Sequence, residues 1–378
     1  MVYIFSTSLF LLLYIYIWYP LVIYLLAKFF AYKVSWKKDR NDLPFISIII
    51  PVRNEELSIE KKIINTLHLE YPSDKIEIII VDSSSTDWTQ AIVAHPQFIG
   101  KVNLKVIDHL WKAYALEKAI NEFSKWEFIL VTDVSATLDI HALKNALTYF
   151  ENVWVEWVTS TLIQKKYEES ITSSWKTYWE IETFIRRYET LFYSCIGFTG
   201  KFSLFKKENF KDKKWYFPSD ADDFDMALFI VKNGGRVLQA DDVFAFENAP
   251  KNAQDVTHQR QRIIVQTMNS LLHYRSLFRF SRFWYILFSR KLLPLLSPIL
   301  FLISFFSFAV LSFATPIFLY FFIFLVLLVV IYIGKIQLSF LKFLYYVILL
   351  NIVICKSYIA FWAWKDFTKW DKINSTRI

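Results

Sequence analysis

The chain has 378 residues, a formal net charge of +8, a hydrophobic fraction of 55% and an aromatic fraction of 19%. It carries 14 Trp against 6 Gly, where average usage of about 7% would give roughly 26 Gly. These totals exclude collagen-like, disordered and disulfide-scaffold classes, and they point to a membrane protein with a soluble part large enough for its own core. Basic and acidic residues are interleaved through the middle of the chain, which argues against a nucleic-acid partner. The two cysteines, Cys195 and Cys355, stand in very different contexts, which argues against a structural disulfide and for a reducing compartment around the soluble part.

The first element is an uncharged run from Val2 to Ala27. As a helix it spans about 39 Å, enough to cross a bilayer with tilt. Lys28, Lys33, Lys37, Lys38 and Arg40 follow directly, which predicts that the next part is cytoplasmic. Short β-rich runs then alternate with helical patterns. Strands are expected over Phe45–Pro51, Ile76–Asp82, Leu104–Asp108 and Glu127–Asp133, with helices over Ser58–His68 and Lys112–Ser124. This βαβα order predicts a mostly parallel sheet with helices on both faces, whose ligands bind beyond the carboxyl ends of the strands. The residues at those ends are Arg53, Asn54, Glu55, Asp82, Asp108 and Asp133. Such acidic groups repel one another unless a cation or a hydrogen-bonding ligand compensates them. No Walker loop or G-x-G-x-x-G motif is present, which disfavours a P-loop nucleotide or a Rossmann dinucleotide.

Ser281–Leu293 is amphipathic, with Arg282, Arg290 and Lys291 flanking an aromatic face. It reads either as a helix on the cytoplasmic leaflet or as an extension of the next span. Leu292 to Gly334 is uncharged and long enough for two spans, with a break at Ala314-Thr315-Pro316. Phe343 to Trp364, holding Asn351 and Lys356, is a third candidate span, and the tail from Lys365 is net basic. The expected layout is a transmembrane helix over 1–31, a cytoplasmic domain over 42–280, an interfacial helix over 281–293, two or three spans over 294–364 and a tail over 365–378.

From Ile46 to Leu272 the residues resemble the membrane-bound family 2 inverting glycosyltransferases, which include cellulose-, hyaluronan- and poly-N-acetylglucosamine-synthase-like enzymes. Ser47–Glu56 (SIIIPVRNEE) matches the family's first strand and turn, and Ile78–Thr89 (IIIVDSSSTDWT) its acidic, Ser-rich turn. Val131–Asp139 (VTDVSATLD) takes the place of the D-x-D motif, with Ser135 at the second acidic position. Gly197–Phe205 resembles the strand lining the acceptor, Asp222-Asp223-Phe224 the acidic pair opening a helix, and Thr257–Met268 the Q-x-x-R-W motif with Ile263 in place of Trp.

The resemblance implies a GT-A-like, mostly parallel sheet with flanking helices, plus N- and C-terminal transmembrane helices. It implies that Pro51, Arg53, Asn54, Glu55 and Asp82 line the nucleotide. Lys112, Arg260 and Arg262 would approach the diphosphate, and Asp133 would help to hold Mg²⁺ or Mn²⁺. Asp223, with Asp222 beside it, would be the general base of an inverting transfer. The expected partners are a nucleotide-sugar donor, expected to be UDP-linked, a glycan or lipid-linked acceptor and membrane lipid. The expected location is the cell membrane, multi-pass, with the catalytic part in the cytoplasm. Transfer of one sugar to a polyprenyl phosphate, a partner export pore and a catalytically inactive carbohydrate-binding or scaffold subunit stand as alternatives.

The Trp excess connects with this alignment. Trp88 stands at the Gly of the family's T-D-G-T, Trp111 at the Gly of Gly-Lys-Ala, Trp126 where a helix C-terminal Gly is expected, and Trp157 in Val155–Ser160 is a weaker case. Tight turns want φ > 0 or close backbone approach. The pattern predicts that several of these residues are glycine in the cell, as when UGA codons specify glycine but are translated as tryptophan. UGG codons at 88, 111 and 126 would exclude it.

Overall fold

The structure, a computed structural model, describes residues 1–32, 43–152, 154–165, 170–197, 200–210, 222–248, 253–316, 319–323 and 339–363. Lys33, Lys37, Lys38, Arg40, most of the expected second C-terminal span and the basic tail lie outside the described residues, as do the side chains of Asp222 and Gln259.

Helix α1, Val2–Phe30, is one of two described helices long and apolar enough to cross a bilayer. Strand β1 (Ile46–Val52) is buried along its whole length. It is followed by α2 (Ile59–Leu67), β2 (Ile76–Ser83), α3 (Thr89–Val93), β3 (Asn103–Ile107), α4 (Lys112–Lys118) and β4 (Phe128–Val131). β1 pairs in parallel with β2 and β4, and β2 with β3. Continuous Ile/Val runs suit strands covered on both faces. Alternate residues supply the two faces. Ile49, Ile79, Val81, Ile129 and Val131 pack with Ala115 and Leu116 of α4, and Ile48, Ile50, Ile78 and Ile80 pack with Ile59 and Ile63 of α2.

The second half contains β5 (Thr137–Leu138), α5 (Ala142–Thr148), β6 (Val155–Lys165), α6 (Ser170–Phe192), β7 (Ser203–Lys206), α7 (Asp222–Lys232), β8 (Arg236–Asn248) and α8 (Ala253–His273). It extends the sheet to eight strands in the order β3-β2-β1-β4-β7-β6-β8-β5. Four pairings are parallel and three antiparallel. The antiparallel part had no counterpart in the βαβα reading. β7 runs against β4 with Val131 opposite Ser203, which returns the chain just before β7 to the carboxyl edge of the parallel strands.

The amphipathic segment forms α9 (Arg282–Leu287), capped by Ser281 Oγ accepting the Trp284 N–H at 3.0 Å, and runs on through Leu292. Its apolar face is not turned away from the protein: Phe283, Ile286 and Leu287 join Tyr19, Ile23 and Ala27 of α1 in the core on one face of the sheet. A buried ion network fixes this junction. Arg290 pairs with Glu182 at 2.7 Å and Glu189 at 3.0 Å, Arg186 pairs with Glu182 at 2.9 Å, and the Tyr19 hydroxyl donates to Glu189 at 2.8 Å. Burial works against the charge of Glu182, but Arg290 and then Arg186 outweigh it and hold the carboxyl well below the usual range. At Glu189 burial wins over Arg290 and raises the carboxyl.

Helix α10 (Ser297–Ala314) is the second helix long enough to span, and it ends at the expected break. In α11 (Ser339–Trp362), Asn351 accepts from Ser297 Oγ at 2.8 Å and donates to the Tyr16 hydroxyl at 2.9 Å, so one amide ties the three apolar helices together.

The backbone reason for glycine at the suspect tryptophans is not found. Trp88 has φ −76° and Trp111 φ −98°. Among the described residues the non-glycine positions with positive φ are Asn54 and Ser84, so the left-handed strain falls elsewhere in these turns. The Trp126 ring stacks on Phe45 at 4.3 Å. Trp157 is 1% exposed inside β6, with its ring 4.7 Å from Phe205. Trp157→Gly therefore removes a core side chain and should cost at least about 3 kcal/mol, while Trp88→Gly, at a residue 74% exposed, should stay within about 0.5 kcal/mol. Denaturation midpoints of the two variants check this, and a more stable Trp157→Gly protein would instead favour glycine at that codon.

Candidate active site

The carboxyl edge of β1 and β2 forms one hydrogen-bonded turn pair. Pro51 is buried in β1, and the chain turns at Asn54, with φ +51°. The Asn54 N–H donates to Ser85 Oγ at 2.7 Å, and Asn54 Oδ1 accepts the Thr86 N–H at 2.7 Å. The Glu55 N–H donates to Thr89 Oγ1 at 2.6 Å, and Glu56 Oε2 accepts the Trp88 N–H at 3.1 Å. The Ser-rich turn and the Arg-Asn-Glu turn therefore hold each other. Asp82 is wholly buried. Its Oδ1 accepts from the Ser85 N–H at 2.8 Å and Gln90 Nε2 at 2.9 Å, whereas its Oδ2 and the Arg53 Nε are buried without a hydrogen-bond partner among the described residues. A buried polar atom left unpaired is costly, so both atoms suit a ligand's hydrogen bonds.

Asp133, two residues past β4, is the electrostatic centre. Lys112, the first residue of α4, lies 3.0 Å from its Oδ1, and Lys201 lies 3.3 Å from its Oδ2. Burial works against the carboxylate, but Lys112 and then Lys201 outweigh it and hold the group far below its ordinary range. The β4–β7 pairing sets this up. The Asp133 N–H donates to the Gly200 carbonyl at 2.9 Å, and Thr132 Oγ1 donates to the Lys201 carbonyl at 2.7 Å. Gly200 also joins the two proposed acidic residues. A Cβ placed there would lie 2.9 Å from Asp133 Oδ2 and 3.2 Å from Asp223 Oδ1. Asp222 opens α7, and Asp223 follows it half-buried.

The expected set thus assembles in part. Lys112, Asp133 and Asp223 meet around Gly200, and Arg53, Asn54, Glu55 and Asp82 form the adjoining edge. Arg260 and Arg262 are half-buried on α8, where Gln261 between them donates to the Lys356 carbonyl of α11 at 3.4 Å.

Three residues of the cluster escaped the sequence reading. Lys62 of α2 is buried behind Asp133 and donates to Thr132 Oγ1 at 2.7 Å and the Ala136 carbonyl at 2.8 Å. Lys201 follows Gly200. Glu247 is placed by the pairing of β8 with β5, which sets Thr137 opposite Phe246, so that its Oε1 accepts from Ser135 Oγ at 2.9 Å and pairs with Lys201 at 2.5 Å. The signal that points to Glu247 is Ser135 itself, since a missing second acid calls for a carboxylate from elsewhere.

The same geometry tests the expected Mg²⁺ or Mn²⁺. Asp133 Oδ2, Ser135 Oγ and Glu247 Oε1 are hard oxygen donors of the kind such cations take. They converge on the Lys201 ammonium at 3.3, 2.9 and 2.5 Å. Among the described residues no group of three or more His, Cys, Asp or Glu is placed to hold a metal ion. With Lys201 where it is, these residues do not fit a divalent cation.

The sequence itself places the chain among the glycosyl transferase families. The chain belongs to Glycosyl transferase family group 2, whose sequence model matches residues 155–354, and the model of Glycosyl transferase family 2 matches residues 47–212. It is 28% identical over 208 residues to a dolichyl N-acetyl-alpha-D-glucosaminyl phosphate 3-beta-D-2,3-diacetamido-2,3-dideoxy-beta-D-glucuronosyltransferase of Methanococcus voltae, covering 50% of this chain and 62% of that one. It is 29% identical over 183 residues to the poly-beta-1,6-N-acetyl-D-glucosamine synthase of Staphylococcus epidermidis, covering 47% and 43%. The matches span less than two thirds of these curated relatives' own lengths. The mannosyltransferase PcManGT of Pyrobaculum calidifontis, solved with GDP-Man and Mn²⁺, shares the fold with a TM-score of 0.74 at 20% identity, over 96% of this chain and 100% of that one.

Lys62 gives the cluster a pH signature. Burial pushes its ammonium from the ordinary 10.5 down to about 7, against the pull of Asp133. Between these values the unfolded chain binds the extra proton, so stability rises with pH across that window. Lys62→Met should flatten the rise, which for one group is at most about 1.4 kcal/mol per pH unit. Denaturation midpoints between pH 7 and 10 for the two proteins measure it.

Proposed function

We propose that the protein transfers a sugar from a nucleotide-sugar donor to a glycan or lipid-linked acceptor, with inversion, at the cytoplasmic face of the cell membrane. The observation that carries this reading is the meeting of Asp133 and Asp223 at Gly200, beside an edge where Asp82 Oδ2 awaits a donor. Asp82 accepts the imide N–H of a uracil base, in keeping with a UDP-linked sugar, while Arg53 and the Asn54 turn border the ribose. Lys112 and Lys201, both paired with Asp133, bring positive charge to the edge where diphosphate oxygens would lie. They stabilise the charge that develops on the leaving nucleotide. Asp223 takes the proton of the acceptor hydroxyl as that oxygen attacks the anomeric carbon in line, and the bond to the diphosphate breaks on the opposite face.

Membrane placement rests on α1 and α10, on the basic residues after α1 and on the apolar α11. The proposed layout keeps the catalytic domain over 42–280, with α9 and the residues to 293 joining it to a multi-pass C-terminal region. The relatives named for dolichyl phosphate-linked and poly-N-acetylglucosamine products favour an acceptor that is a lipid-linked sugar or a growing glycan. Arg260 and Arg262 stand as further contacts to the donor diphosphate.

Asp223→Asn should lower transfer from UDP- or GDP-sugars about 10²–10⁴-fold and leave nucleotide binding intact. Turnover of radiolabelled donor and calorimetric nucleotide binding measure the two quantities. Unchanged turnover refutes the base role, and nucleotide binding without turnover in the unmutated protein favours a binding subunit.

A further inference from the structure

We propose that the Lys201 ammonium is a built-in cation that takes the position of a divalent metal ion, so that the donor diphosphate is bound without Mg²⁺ or Mn²⁺. The proposal rests on the donor-site reading above and adds the identity of the cation. Lys201 Nζ is held by three oxygens from two separate parts of the chain: Asp133 Oδ2, Ser135 Oγ and Glu247 Oε1. A carboxylate, a hydroxyl and a second carboxylate arranged around one centre make a coordination shell for a hard cation, and here that centre is a nitrogen. The backbone leaves the lysine little choice of position. Its carbonyl accepts from Thr132 Oγ1, and the preceding Gly200 carbonyl accepts from the Asp133 N–H. The side chain is 16% exposed.

Charge balance points the same way. Lys112 and Lys201 both pair with Asp133, and Lys201 also pairs with Glu247, so a divalent ion approaching these oxygens would meet an ammonium already at their centre. The sequence departs from a D-x-D pattern in a matching way. Ser135 has lost the charge at the second acidic position, and Glu247 restores it only for Lys201. When a nucleoside diphosphate enters, one N–H of the ammonium turns from its protein oxygen to a phosphate oxygen, and no covalent bond is made or broken in that step.

The test uses the full chain in detergent micelles, with Mn²⁺ alone followed by electron paramagnetic resonance. The unmutated protein should leave Mn²⁺ free. Lys201→Ala should open the oxygen shell and bind Mn²⁺ at least tenfold more tightly, as should Lys201→Gln, which keeps a longer stem. Lys201→Arg should not, and adding Glu247→Gln to Lys201→Ala should abolish the gain. Tight Mn²⁺ binding by the unmutated protein that Asp133→Asn removes would overturn the proposal, and so would alanine and glutamine variants that gain none. UDP and GDP binding should be equal in EDTA and in Mn²⁺, and a tenfold or larger gain with Mn²⁺ would also overturn it. If neither nucleotide binds under either condition, the donor reading fails, while the Mn²⁺ measurements still decide what occupies the centre of the shell.

Discussion

The pairing of Arg290 with Glu182 and Glu189 is the interaction on which the arrangement of the whole chain depends. Glu189 is wholly buried and takes a hydrogen bond from Tyr19 in α1 as well as the ion pair. Removing one partner of such a buried pair leaves an uncompensated charge, which typically costs about 3–5 kcal/mol. The network therefore commits three segments to one another: the first apolar helix, the long α6 and the turn after α9. Arg282 repeats the tie further along, donating to the Phe30 carbonyl at 2.8 Å and the Phe192 carbonyl at 3.3 Å. The sheet is not a soluble domain on a flexible stalk, because its core continues directly into α1.

This junction also reaches the site. The Arg186 guanidinium, paired with Glu182, lies 3.5 Å from where a Cβ of Gly197 would stand, three residues before Gly200. On the other side Lys291 sits over the ring of Phe224 at 4.9 Å, next to Asp223. Burial pushes that ammonium down to about 8. Both carboxylates of the proposed chemistry thus adjoin elements anchored by the same few charges at the base of the apolar helices.

The parallel half of the fold was legible in the sequence because β1, β2 and β4 are buried along most of their length. Ile46–Val52 and Ile76–Ser83 have to read as apolar runs, and the polar residues that end them have to mark the ligand edge. The antiparallel half was anticipated only at Gly197–Phe205, through the resemblance; β5 has two residues, too few to show a period, and the long β6 and β8 pair with shifts of register. The site divides along the same line. Asp82, Lys112, Asp133 and Asp223 stand in or beside recognisable motifs. Lys201 and Glu247 acquire their meaning only from strand pairing, and Ser135 and Glu247 are 112 positions apart. Trp157, the weaker of the suspect positions, gains its core place from the pairing of β6, which sets it opposite Phe205.

Gly200 has a consequence of another kind. Its missing side chain is the clearance between Asp133, just past β4 in the first half of the chain, and Asp223, on α7 in the second half. The two halves can therefore accumulate changes only as long as that single gap keeps its width. Drift in either half is read out at one atom-sized space, and it is there that the two carboxylates are kept in register.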